Sequence, residues 1–360
     1  MPVVASVLIS AAVVSNSLAA NNWDPSVFIG FGDEAADTRA YGEELFGEIV
    51  LRDLQGHDGK FFFVQAIDPW LLDPSTSSAL LEPPVYRSQR VLYPMLAGGL
   101  GLLGPEQIVW SLVLVNILGL ALGTLAASRL ARRFGGSEWW GLAFALNFGL
   151  LFDLQNDGAG IIAACLGMWA VLMLYQERYG WAIAFLAGAV LTREVMAVTV
   201  AGAAAWHWFE GRRRWALSTA ALPGLVLVGW VVYVTARLGP DESSVGAFSP
   251  PFVGLVRAIP HWLESPATLV IGASVLFLMI IYTVRWARSP TALGWSFIGF
   301  VAIGLTMSER VWREPFDFAR ALAPLITAAI LIIFVEQSSR TRSLDSAVTG
   351  VIGASESLAD

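Results

Sequence analysis

GAGIIAACLGMWAVLMLYQERYGWAIAFLAGAVLTREVMAVTVAGAAAWHWFEGRRR, residues 158–214, decides the fold class of this chain. Three apolar runs, 158–176, 180–192 and 194–209, follow one another with only a few charges between them. Spanning a bilayer takes about 20 apolar residues, so the first run is long enough and the other two are short. The two short ones meet at Leu191-Thr192-Arg193-Glu194-Val195, as if both stop below a water-filled cavity. Segments of that kind are tolerated at membrane depth where they line such a cavity.

Apolar runs recur in both directions from this stretch. Toward the N-terminus they cover 2–20, 106–128 and 138–153, and toward the C-terminus 215–237, 267–286, 292–308 and 319–337. The expected fold is an all-α polytopic membrane protein of about ten transmembrane helices. Composition agrees: 56% of the 360 residues are hydrophobic and 14% charged, with a mean hydropathy of +0.63. A soluble domain carries about 25% charged residues. No linker-like stretch divides the chain, so 1–337 reads as one transmembrane domain and 338–360 as a disordered cytoplasmic tail.

Residues 2–20 fit either a retained first helix or a cleaved signal peptide ending at Ser-Leu-Ala-Ala. The lack of Lys or Arg before the apolar stretch favours the helix. In either case Asn21 emerges outside. Residues 21–90 then form a long first extracytoplasmic loop, with an acidic amphipathic helix from Asp33 to Leu54 lying at the membrane surface. The piece 91–103 is too short to span and contains Pro94, so it reads as a re-entrant or interfacial helix. Arginines cluster at Arg129/Arg132/Arg133, Arg178, Arg212–Arg214, Arg285/Arg288 and Arg340/Arg342. With these spans all five clusters fall on one side, which the positive-inside rule makes cytoplasmic. Most Asp and Glu fall on the other side, a skew that the sorting rule leaves unexplained.

The single cysteine, Cys165, excludes an intramolecular disulfide and a cysteine metal site. The three histidines match no metal-ligand spacing, and a net charge of −7 argues against nucleic acid as a partner. Lys60 is the only lysine, an arginine bias that hints at a GC-rich bacterial genome.

Five stretches could carry chemistry on the outer side. In His57-Asp58-Gly59 a carboxylate stands just before an aromatic run, where water gives way to low dielectric; there it suits general-base work. Asp58-Gly59 also fits a plain turn. In Tyr86-Arg87-Ser88-Gln89-Arg90, two arginines three apart suit a phosphate, or simply snorkel. Arg193-Glu194 lies between two apolar runs, where ionisable residues mark a function or a buried pair, and on a helix the two would face different partners. Asp157, in the stretch Asp153 to Gly158, serves either a site or a helix N-cap. The dense loop Glu309 to Arg320, with Asp317, either neutralises a lipid phosphate or pairs with itself.

Asp58-Gly59-Lys60-Phe61-Phe62-Phe63, followed by Tyr-Arg-x-Gln-Arg-x-Leu-Tyr-Pro at Tyr86 to Pro94, resembles the bacterial multi-spanning glycosyltransferases of the GT-C class, particularly mannosyltransferase-like members. The similarity is clearest over 24–97, with weaker echoes at Arg193-Glu194 and from Asp317 to Pro324. The resemblance implies transfer of a sugar outside the cytoplasm, at the plasma membrane, from a polyprenyl-phosphate-linked donor to a glycan or lipid acceptor of the cell envelope. It implies Asp58 as the catalytic base, Arg87, Arg90, Arg193 and Arg320 as phosphate ligands, and His57, Tyr86, Gln89, Asp157, Glu194 and Asp317 in support. It leaves room for a divalent metal, magnesium or manganese, between Asp58 and the phosphate. His57 and Lys60 depart from the pattern; as basic neighbours they would shift the Asp58 carboxyl downward. The rival readings are a transporter or lipid flippase and a non-catalytic envelope-assembly scaffold. A transporter would show two related halves with matched broken helices, and no internal repeat is visible.

Overall fold

The computed structural model describes residues 1–240 and 246–333. They are almost entirely helical. In chain order the helices are α1 (Pro2–Ala20), α2 (Ala36–Phe46), α3 (Gly59–Ile67), α4 (Pro74–Leu80), α5 (Pro84–Ser88), α6 (Leu92–Ala97), α7 (Pro105–Arg133), α8 (Leu142–Ala145), α9 (Phe148–Gln155) and α10 (Gly160–Tyr175). They continue as α11 (Tyr179–Thr192), α12 (Ala197–Phe209), α13 (Arg213–Leu238), α14 (Val253–Leu263), α15 (Pro266–Arg288), α16 (Ala292–Thr306), α17 (Glu309–Arg313), α18 (Pro315–Ala321) and α19 (Ala323–Ile333). Two residue pairs form a small parallel ladder, β1 (Phe31–Gly32) with β2 (Leu51–Arg52).

Proline opens α4, α5, α7, α15 and α18, where its missing N–H costs nothing and its φ suits the first turn. Arg132 and Arg133 close α7 and Arg285 and Arg288 close α15, where cations meet the negative end of the helix dipole.

Four helices, α1, α7, α13 and α15, are long and apolar enough to cross a membrane, and the pair α18–α19, bent by 68°, makes a fifth. Leu217, Leu225 and Val228 on α13 and Val270, Phe277 and Ile280 on α15 stay exposed, the pattern of flanks meant for lipid. These helices fit a membrane protein. The remaining expected spans are shorter: α10, α11, α12 and α16 hold 16, 14, 13 and 15 residues. At about 1.5 Å per residue they fall short of a hydrocarbon core of about 30 Å. The α10 helix is apolar all round and almost wholly buried, so protein covers it. The expected span 138–153 is broken into a 3-10 turn at Glu138–Gly141, α8 and α9.

The described arginine clusters share one end of the bundle. Arg133 lies over Tyr175, whose hydroxyl accepts from the Leu293 N–H at 3.3 Å. Arg212 lies over Tyr179, and Phe209 stacks on Trp295, which meets Trp286 beside Arg285 and Arg288. Arg340, Arg342, the end of the last expected span and the tail 338–360 lie outside the described residues.

One expectation for the first loop needs correction. The surface helix expected over Asp33 to Leu54 stops at Phe46, because Gly47 takes φ +76°, and Leu51 joins the ladder instead of a helical face. The piece 91–103 contains α6 and a 3-10 turn at Gly99–Gly101; it is packed on α3 and α7 through Tyr93 and Ala97.

Candidate functional site

Asp58 occupies the N-cap position of α3, yet its side chain caps nothing. Its carboxylate is spent on two guanidiniums instead. Arg87 Nη1 donates to Oδ1 at 2.8 Å, and Arg320 Nη1 lies 3.3 Å from Oδ2. Gly59 makes this placement feasible, since a Cβ there would strike the carbonyl oxygens of Asn156, Ile29 and Phe28. Burial pushes the Asp58 carboxyl up, but Arg320 and Arg87, with Arg90 and Arg193 farther off, outweigh it and hold the group far below the ordinary carboxylate range. The largest downward causes are these arginines and not His57 or Lys60. Burial, with Arg52 and Arg320, keeps the His57 imidazole below its usual value, and its ring stands edge-on to Phe152. The Lys60 ammonium donates to the Gln55 carbonyl.

The α5 helix ends at Ser88, so the two arginines of the Tyr-Arg motif diverge: Arg87 reaches Asp58 and Arg90 reaches Glu194. Arg90 Nε and Nη2 donate to the two Glu194 oxygens at 2.9 and 2.7 Å, and Nη2 also donates to the Tyr86 hydroxyl. With its side chain 7% exposed, Arg90 is enclosed and does not snorkel. The break between α11 and α12 supplies Glu194. Arg193 is extended (φ −149°, ψ 122°) and a 3-10 turn, Glu194–Met196, leads into α12. Because the backbone is not helical here, Arg193 and Glu194 face the same cavity, contrary to the helical expectation, while their neighbours differ. Arg193 Nη1 and Asp153 Oδ2 both press on Gly160, where a Cβ would leave neither enough room.

Arg320 comes from α18, which α9 holds in place. Asn147, the N-cap of α9, donates to the Ala323 carbonyl at 2.9 Å, and Phe152 stacks on Phe316 with ring centroids 4.6 Å apart. Arg320 Nη1 also lies 3.8 Å from the buried Asp153, and Nη2 lies 3.5 Å from Asp317. On the far wall a short strap, Gly246–Phe248, is tied to the end of α16: Ser308 N–H donates to the Ala247 carbonyl at 2.9 Å, and Phe248 bridges to Met307.

Together these groups enclose a cavity of about 270 Å³. Asp58, Arg87, Arg90, Arg193 and Arg320 line it, as do Tyr86, Glu194 and Asp317. Residues far apart in the chain thus converge at the bundle end away from the arginine clusters. Three of the expected supporting residues do not line it. His57 turns toward Phe152, and Gln89 stands at the end of α5 outside the cavity. Asp157 is fully buried in a left-handed turn (φ +46°) and caps nothing; Ala159 is the N-cap of α10. Burial pushes the Asp157 carboxyl well up. Sequence reading missed the strap as a cavity wall, and named Asp153 only as part of the stretch that ends one apolar run and begins the next. An ionisable residue inside an apolar run was the available signal for Asp153.

Four of the five arginines that line the cavity (Arg87, Arg90, Arg193, Arg320) face carboxylates (Asp58, Asp153, Glu194, Asp317), so apart from Arg310 an entering anion must compete for cations already in use. The residues do not suit the metal that the resemblance left room for. Both Asp58 oxygens meet guanidiniums, and among the described residues no group of three or more His, Cys, Asp or Glu could hold a metal ion. Compared with protein-family models, curated proteins and solved structures, the chain matches none of them.

Proposed function

We propose that the chain is a GT-C-like glycosyltransferase of the bacterial cell envelope, with about ten membrane spans. In this reading it moves a sugar from a polyprenyl-phosphate donor to a glycan or lipid acceptor on the extracytoplasmic side of the plasma membrane. The short helices α10, α11, α12 and α16 count as spans whose ends line the cavity. One observation carries the reading: Asp58 stands in a cavity among five arginines, at the bundle end opposite the basic clusters.

Locked between Arg87 and Arg320, Asp58 is a weak base. The donor phosphate changes that by drawing the same two guanidiniums to its own oxygens, which frees the carboxylate. The acceptor hydroxyl then attacks the anomeric carbon and its proton passes to Asp58. The new carbon–oxygen bond forms as the bond to the phosphate oxygen breaks. That electron pair leaves with the polyprenyl phosphate, whose charge Arg87, Arg90, Arg193 and Arg320 stabilise. The step needs no covalent enzyme intermediate.

The test is deletion of the gene, profiling of envelope glycans and glycolipids, and complementation at equal membrane expression. Loss of a glycan that wild type restores and Asp58→Asn does not is the expected result. Full restoration by Asp58→Asn removes Asp58 from catalysis and favours a transporter or scaffold.

A further inference from the structure

The cavity at Asp58 has a neighbour. Glu309, Arg310, Arg313, Glu314 and Asp317 line a second cavity of about 420 Å³, and two of them, Arg310 and Asp317, line both. All five belong to α17, the first turn of α18 and the single residue between them. Glu314 is extended (φ −99°, ψ 123°) and Pro315 starts the next helix, so two very short helices present their polar sides together.

An aromatic floor fixes this rim. Trp312, fully buried on the inner side of α17, donates from Nε1 to the Gly304 carbonyl at 2.8 Å. Trp262 donates to the Trp312 carbonyl at 2.7 Å, and Phe318 packs on both indoles with centroids 5.0 and 5.8 Å away. The polar groups therefore stand on a packed base and not on a loose loop.

The two cavities differ in how their charges are used. Around Asp58, Arg87, Arg90 and Arg320 are engaged with carboxylates. In the second cavity Asp317 meets Arg320 at 3.5 Å and Glu309 meets His261 at 3.6 Å. Among the described residues, no ion pair or hydrogen bond engages the side chains of Arg310, Arg313 or Glu314.

We propose that this second cavity is the acceptor subsite, and that it takes a polyhydroxylated sugar or glycan headgroup without net negative charge. The inference rests on the transferase reading. A single displacement brings the attacking hydroxyl to the face of the anomeric carbon opposite the departing phosphate. The phosphate side belongs to the buried guanidiniums, Arg90 above all, so the acceptor comes from the side open to water. There Arg310 and Asp317 form the wall common to the two spaces. Three carboxylates against two guanidiniums repel an anion, and an apolar ligand would strand five charged groups. Hydroxyls satisfy both kinds: they donate to carboxylates and accept from guanidiniums. The volume lies within the ordinary range for small-ligand sites.

The experiment uses the full chain in lipid nanodiscs with two probes. The donor is a radiolabelled pool of polyprenyl-phosphate sugars extracted from the deletion strain, and the acceptor is a dilution series of that strain's envelope extract. Arg313→Ala and Glu314→Gln each remove one charge-assisted contact at positions outside the Asp58 cavity. The expected result is an acceptor KM raised about tenfold with the donor KM within about twofold of wild type. An active wild type whose two variants keep its acceptor KM overturns the subsite and leaves the transferase reading standing. A rise in both KM values together also overturns the subsite, because the damage is then general. A wild type that transfers no label overturns the transferase reading, and this inference with it.

Discussion

At Asp58 a carboxylate has been given the strongest partners a protein can supply, two guanidiniums on its two oxygens. That makes its titration a direct probe of the mechanism. The kcat/KM profile reports groups of the free enzyme. In that state Arg320 and Arg87 overcome burial and hold the Asp58 carboxyl far below the ordinary range. Wild-type kcat/KM should therefore show no acid limb from Asp58 between about pH 5 and pH 8. In Arg87→Gln one cation is gone while burial persists, so the carboxyl rises and the rate falls on the acid side as Asp58 protonates. The sign for stability is the same. A depressed carboxyl stabilises the fold at neutral pH, and that contribution is lost as pH falls through the folded value, a fall that comes earlier in the variant. If the Arg87→Gln profile is merely a scaled copy of wild type, Asp58 is not the titrating base. The residue itself was legible in the sequence, because Asp-Gly before an aromatic run is a visible pattern. Its lock was not, because Arg320 lies 262 positions along the chain and only packing of α18 on α9 brings it there.

Among the elements, the break between α11 and α12 matters most to the site. Two short apolar runs meeting at Arg193-Glu194 already pointed to a cavity, and the extended Arg193 followed by a 3-10 turn is the physical form of that interruption. What holds the break is the bidentate bond from Arg90 to Glu194. Removing one partner of an enclosed pair leaves the other charge stranded, which costs about 3–5 kcal/mol where burial is complete. Arg90 is 7% and Glu194 28% exposed, so Glu194→Gln should fall toward the lower end of that range. A thermal unfolding series in one detergent measures it; a midpoint equal to wild type would show that the pair does not hold the break. The elements that sequence reading misjudged fail for local reasons. Amphipathic spacing over Asp33 to Leu54 carried through Gly47, whose positive φ ends the helix. The segment 138–153 looked like one apolar span, but Asn147 caps a new helix there. Asp157 read as either a site residue or a cap, yet α10 starts two residues after Gly158, and its carboxylate is left in the interior.

For the molecule as a whole, polarity of the two ends is the property on which every functional argument depends. One end gathers Arg133, Arg178 and Arg212 with a layer of tryptophans, and the other gathers Asp58, Glu194 and Asp317. This division was readable from the chain because loop arginines sort by side. The number of crossings was less so, since helices of 13–16 residues become spans only when neighbours cover them. If the basic end is cytoplasmic, the Asp58 cavity faces the compartment where lipid-linked sugars are consumed. The chain lends itself to a clean test, because Cys165 is its single cysteine and is buried. In a Cys165→Ser background, Glu210→Cys places a thiol on the basic end and Arg313→Cys places one beside the site. A membrane-impermeant maleimide added to intact cells should label the second and not the first, with both labelled after permeabilisation. The reverse pattern would turn the cavity toward the cytoplasm, where soluble nucleotide sugars are at hand. The four arginines would then have to be read as a clamp for a pyrophosphate donor, and the case for a lipid-phosphate substrate would lose its footing.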